Sequence, residues 1–252
     1  MPDTGKTGEI YAVNVPGLEN WTALSQDQAV DLVRRYRWIY VNASLKGNYA
    51  SKDEATKLSN ALNRRPMVHV YLSKTLFDGT RNTYPGRFHA AMSALIEATT
   101  ENGEEVLVTG RSYGVHQALR AACRFNKPTI AVIGIAPAFG AFGNQWSDNV
   151  RRYVLDVATT RCRYGMIASK RDFFTWKSGG AARKRRVLYR GDNDVGRAAD
   201  RNPHNVHIEV IKNAHHAPID EYIRYGLVPA MQRTVRHFGM HSLTDIVDGV
   251  RV

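Results

Sequence analysis

The sequence is poor in cysteine, in acidic residues and in long apolar runs, and each shortage excludes something. Two cysteines in 252 residues, Cys123 and Cys162, match no disulfide framework, redox motif or metal-ligand spacing. They are read as reduced, mostly buried thiols. The longest apolar stretch, Thr129 to Gly143, is too short for a bilayer and contains Pro137, so no membrane span is expected. The opening residues MPDTGKTGEI have no apolar segment of the secretory kind, which predicts a cytoplasmic protein. No H-E-x-x-H spacing connects the histidines. His69, His89, His116, His204, His207, His237 and His241 are read as structural or exposed, and no metal is expected. There is no G-x-G-x-x-G, and Gly5-Lys6-Thr7 lacks the preceding glycine of a phosphate loop, so no nucleotide cofactor is expected either.

What remains is an ordinary globular composition, 43% hydrophobic and 23% charged, which excludes a disordered or fibrous chain. The length suits a single domain over residues 1–252. Six short apolar runs predict buried strands: Ile10–Val15, Met67–Leu72, Glu105–Thr109, Thr129–Ile135, Arg186–Arg190 and Val206–Ile211. Their apolar character is continuous, as in a sheet covered by helices on both faces. Helical patterns lie between them. One follows the capping-box spacing Ser25–Gln28 and runs to about Tyr40; another runs from Ser51 to Leu62. Arg87–Thr99, Tyr113–Arg124 and Pro218–Phe238 complete the set. The alternation predicts an α/β fold, a doubly wound, mostly parallel sheet flanked by helices. Asn144–Lys184 breaks the rhythm and reads as a helical cap or lid insertion.

The chemistry concentrates in Gly110-Arg111-Ser112-Tyr113-Gly114, a G-x-S-x-G directly between a predicted strand and a predicted helix. A turn that tight strains the serine backbone, and the small residues on either side let neighbouring chain pass. A serine hydroxyl needs a base, and the base needs an orienting acid. Downstream, Gly191-Asp192-Asn193-Asp194 follows one predicted strand, and Ala214-His215-His216 follows the last. An acid and a base just past the carboxyl ends of strands stand where an open α/β sheet places its site.

With those residues the sequence resembles the α/β-hydrolase superfamily. The resemblance implies a nucleophile at Ser112 and a base at His216, with His215 the alternative because it occupies the family's glycine position. It implies Asp194 as the acid, through the G-x-x-D-like turn, with Asp192 in reserve. It implies oxyanion donors at Tyr113 and at Leu18, in the Pro16-Gly17-Leu18 turn after the first strand. Phe173, Phe174 and Trp176 of the insertion would line a substrate pocket. The expected activity is that of a serine esterase, lipase or thioesterase. It would act on a small-molecule or lipid-like acyl ester, without a cofactor.

Charge suggests an alternative. Lys and Arg number 35 against 23 Asp and Glu, a net +12. Eleven Lys and Arg fall between Arg151 and Arg186, against Asp156 and Asp172 only. Such a region is a solvated face, a device for recruiting an anionic substrate, or a polyanion-binding surface on a non-catalytic module. Arg183-Lys184-Arg185-Arg186, with aromatic residues nearby, would suit nucleic acid, but no recognised nucleic-acid motif accompanies it.

Overall fold

A computed structural model describes residues 9–43, 53–72, 86–112, 114–137, 161–172, 194–216 and 218–249. Seven strands form one sheet: β1 (Glu9–Val13), β2 (Trp38–Ala43), β3 (Met67–Leu72), β4 (Val106–Arg111), β5 (Ile130–Ile135), β6 (Arg163–Ser169) and β7 (Val206–Ile211). Their spatial order is β1-β3-β2-β4-β5-β6-β7. Every pairing is parallel except that of β1 with β3. The helices are α1 (Gln26–Tyr36), α2 (Asp53–Ala61), α3 (Gly86–Thr100), α4 (Gly114–Cys123), α5 (Asp194–Arg201), α6 (Ile219–Arg224), α7 (Leu227–His237) and α8 (His241–Val247).

Side-chain alternation along the strands divides the core in two. Ile39, Val41, Val106, Val108, Ile130 and Val132 face a layer that includes Ala29 and Val33 of α1, Met92 and Leu95 of α3, and Ala118 and Leu119 of α4. Trp38, Tyr40, Leu107, Ala131 and Ile133 face the other way. They meet Leu58 of α2, Tyr222 of α6, Met231 and Val235 of α7, and Ile246 of α8. The central strands β4 and β5 are buried at every position, which explains their unbroken apolar sequences. The fold class is therefore as expected.

Two strands were not expected. Helix α1 stops at Tyr36, and Arg37 turns the chain in the left-handed region at φ 54°. Trp38–Ala43 then enters the sheet between β3 and β4. The predicted extension of this helix to Tyr40 is corrected there: Trp38-Ile39-Tyr40-Val41 is a continuous aromatic and β-branched run buried on both faces. The second is β6, which lies inside the stretch assigned to the insertion. Residues 163–169 belong to the sheet, between β5 and β7, and not to a cap over its end. Gly165 interrupts the strand pattern because α7 packs so closely that a Cβ there would overlap the Thr234 methyl. The predicted helix Pro218–Phe238 is two helices, separated by Gly226 at φ 115°. The predicted strand Arg186–Arg190 and the parts of the predicted insertion at 144–160 and 173–184 lie outside the described residues.

Among the described residues, no helix is long and apolar enough to cross a membrane, and no group of His, Cys, Asp and Glu has the makings of a metal site.

Candidate active site

The end of β4 and the start of α4 form a sharp elbow. Ser112 has φ 52°, a region that L-residues seldom adopt. Its N–H donates to the Ile135 carbonyl of the neighbouring β5 (3.0 Å), and its own carbonyl accepts from Val115 (3.3 Å). Both flanking glycines are required by close approach. A Cβ on Gly110 would lie 2.7 Å from the Val115 Cα, and one on Gly114 would overlap the backbone of Val41 and Asn42 in β2. The strand, the turn and the helix start thus lock together around a serine that is only half-buried.

The base comes from the other side of the sheet's carboxyl edge. β7 ends at Ile211, the chain turns through Asn213 at φ 67°, and Ala214 is buried. His216 Nε2 then lies 2.8 Å from the Ser112 Oγ. Its Nδ1 lies 2.9 and 3.0 Å from the two carboxylate oxygens of Asp172. A carboxylate only accepts, so Nδ1 carries the proton and Nε2 accepts from the serine hydroxyl. The side chain of Asp172 is 0% exposed and that of His216 15%, so the ion-forming partner is dry and the base faces the solvent side.

The elbow thus stands at the carboxyl end of a central strand of a mostly parallel α/β sheet.

No family model matches the chain, and no curated protein matches it. Solved structures similar to it include a monoacylglycerol lipase from Paleococcus ferrophilus, 14% identical, covering 79% of this chain and 94% of that one at a TM-score of 0.46. An esterase from Pyrococcus furiosus is 11% identical over 82% of this chain and 83% of its own, with a TM-score of 0.49. An S-formylglutathione hydrolase from Agrobacterium tumefaciens is 15% identical over 80% and 84%, with a TM-score of 0.48.

The carboxylate at His216 is a correction to the sequence reading. Asp194 was expected there; it is instead the first residue of α5. Asp172 follows β6 by three residues, in a turn closed by its N–H to the Ser169 carbonyl (3.1 Å). Because β6 lies beside β7, this turn and the turn carrying His216 emerge next to each other. Asp192 lies outside the described residues. In the sequence Asp172 is visible only as one of two acids in a basic stretch. The available signal was the apolar run Gly165-Met166-Ile167-Ala168 ending in a polar turn with an acid.

His215 points elsewhere. Its Nδ1 and its backbone N–H meet Glu221 Oε2 at 2.9 and 2.7 Å, on the exposed side of the turn. The structure therefore brings His216, and not its neighbour, to the serine. His116 on α4 is buried, which pushes its imidazole well below the ordinary range and keeps it neutral.

Leu18 is also corrected. β1 runs antiparallel, with Val13 beside Met67 at the start of β3, so the turn after it opens at the amino edge of the parallel strands. In register, Val13 is level with Leu107, and Ser112 is five residues farther along, about 16 Å away. The Leu18 N–H is moreover used within its own turn, donating to the Val15 carbonyl at 3.1 Å. Tyr113, Phe173, Phe174 and Trp176 lie outside the described residues.

The basic stretch is divided in the same way. Arg161 and Arg163 sit at the start of β6, whereas the exposed Lys170 and Arg171 follow its end, next to Asp172. The seven remaining basic residues of that stretch lie outside the described residues.

Tyr222 of α6 completes the acid's surroundings, its hydroxyl donating to Asp172 Oδ2 at 2.7 Å. Burial, reinforced by the adjacent carboxylate, pushes that phenol well above its ordinary range, so it remains a donor. Tyr222→Phe is expected to remove one charge-assisted bond. Stability should fall by about 2 kcal/mol, and the thermal midpoint by about 4–8 °C for a chain of this size. Calorimetry beside Tyr222→Leu, which also loses the packing, separates the bond from the ring.

Proposed function

We propose that the protein is a serine hydrolase of carboxylic esters or thioesters. The observation that carries this reading is the continuous chain Ser112 Oγ, His216 Nε2, His216 Nδ1 and Asp172, at 2.8 and 2.9 Å, on a strained elbow.

In this reading the Ser112 oxygen attacks the acyl carbonyl as His216 Nε2 takes its proton. The imidazolium that forms is stabilised by Asp172, which is held in place by Tyr222 and keeps the ring in one tautomer. The tetrahedral oxyanion is bound by the amide that follows the nucleophile in the sequence, that of Tyr113. Collapse expels the alcohol or thiol, which takes the proton from His216. Water activated by the same ring then releases the acid and restores the serine. Every step needs only groups of this chain, the ester and water.

The reading is tested by intact mass after incubation with a fluorophosphonate. One adduct at Ser112, absent after prior denaturation, is the expected result. An unlabelled folded protein that also leaves short-chain and long-chain p-nitrophenyl esters and acyl thioesters intact would overturn it.

A further inference from the structure

A second set of buried polar groups lies directly behind the site. Arg111, the residue before Ser112, is 5% exposed, and its Nη1 lies 2.5 Å from Glu54 Oε1, itself 8% exposed, in the first turn of α2. The other Glu54 oxygen accepts from Asn42 Nδ2 at 2.9 Å, and Asn42 is paired with Arg111 across β2 and β4. The remaining arm of the guanidinium, Nη2, donates to the backbone carbonyl of His216. One planar side chain therefore joins the nucleophile elbow to the chain that carries the base.

We infer that Arg111, held by Glu54 and Asn42, is a positioning residue that sets the Ser112–His216 separation through the His216 carbonyl; this rests on the hydrolase reading above. A buried ion pair adds little net stability, because desolvation cancels much of its attraction. Its contribution here is geometric. Burial pushes the Glu54 carboxyl upward and Arg111 opposes that shift, so the guanidinium is the partner that favours the charged carboxylate. Arginine suits the task because its rigid fork reaches two acceptors at once, and lysine offers no such fork. The His216 turn leaves β7 through an αL residue and is anchored to β4 by this bond as well as by the catalytic hydrogen bond itself.

The test uses two variants of the full chain. Arg111→Met combined with Glu54→Gln removes both charges together, so no buried ion is left unpaired; Arg111→Lys keeps the charge and loses the fork. The double variant is expected to keep a thermal midpoint close to that of the wild type. Its kcat on an ester should fall by about 10- to 100-fold with KM within about twofold, since misplacement penalises the chemical step. Fluorophosphonate labelling of Ser112 should slow in the same proportion, and Arg111→Lys should fall between the two. A folded double variant with wild-type kcat and labelling rate overturns the inference, as does a change confined to KM. Should the double variant fail to fold, Arg111→Lys decides: reduced kcat at an unchanged midpoint supports positioning, and unchanged kcat refutes it. A wild type that is not labelled overturns the hydrolase reading itself, a result distinct from both.

Discussion

Ser112→Ala is expected to lower kcat for ester hydrolysis by about 10⁶-fold, the loss seen when a triad nucleophile is deleted. Alanine keeps a Cβ at the same positive φ, so the elbow's strain is unchanged. Only the hydrogen bond to His216 is lost, at about 1 kcal/mol, so the thermal midpoint should move by no more than about 4 °C. Members of a triad act as one unit. Ser112→Ala with His216→Ala should therefore be scarcely slower than Ser112→Ala alone. Steady-state rates on one ester, measured beside thermal melts of the same preparations, check both statements. Turnover in Ser112→Ala within tenfold of the wild type would remove Ser112 from the mechanism.

The second large effect separates the two candidate acids. Asp172→Asn should reduce kcat by about 10⁴-fold, because an amide facing Nδ1 no longer demands a proton there. With the ring free to carry its proton on Nε2, the serine has no acceptor. Asp194→Asn should stay within about twofold of the wild type, since the Nδ1 position is already occupied by Asp172 at 2.9 Å. The pair is read from kcat alone, with circular dichroism to show that both variants fold. The reverse ranking would return the acid's role to Asp194.

The elements that the sequence made legible are those whose signal is local. Met67–Leu72 and Val206–Ile211 have the same limits as sequence patterns and as strands, being short, β-branched and flanked in sequence by proline or polar residues. Ser25 and Gln28 cap α1 reciprocally, as their spacing requires. The elbow was legible for the same reason. Gly110 and Gly114 mark a close approach of backbone, and Ser112, midway between them, sits half-buried at φ 52°.

Trp38–Ala43 was hidden because it follows α1 after a single αL residue, with no turn chemistry to separate them. The strand at 163–169 was hidden by Gly165 and by the arginines before and after it. Losing those two strands had consequences for the site. With β2 hidden, the turn after β1 reads as one beside the nucleophile, whereas Leu18 lies at the opposite, amino edge of the parallel strands. With β6 hidden, the acid that follows a legible strand is Asp194, one segment beyond Asp172.

By itself, then, the sequence determined the α/β alternation, the serine at the strained turn and a histidine pair after the last strand. Each of these is specified within a few residues by backbone sterics or by apolar period. Only the tertiary structure decided that His216 and not His215 turns inward, that Asp172 is the carboxylate it meets, and that Arg111, paired with Glu54, reaches the His216 carbonyl. Those contacts link residues 44, 104, 105 and 57 positions apart in the chain. Such pairings follow from which strands become neighbours and in what register, and strand neighbourhood is settled by the packing of the whole sheet rather than by any local pattern.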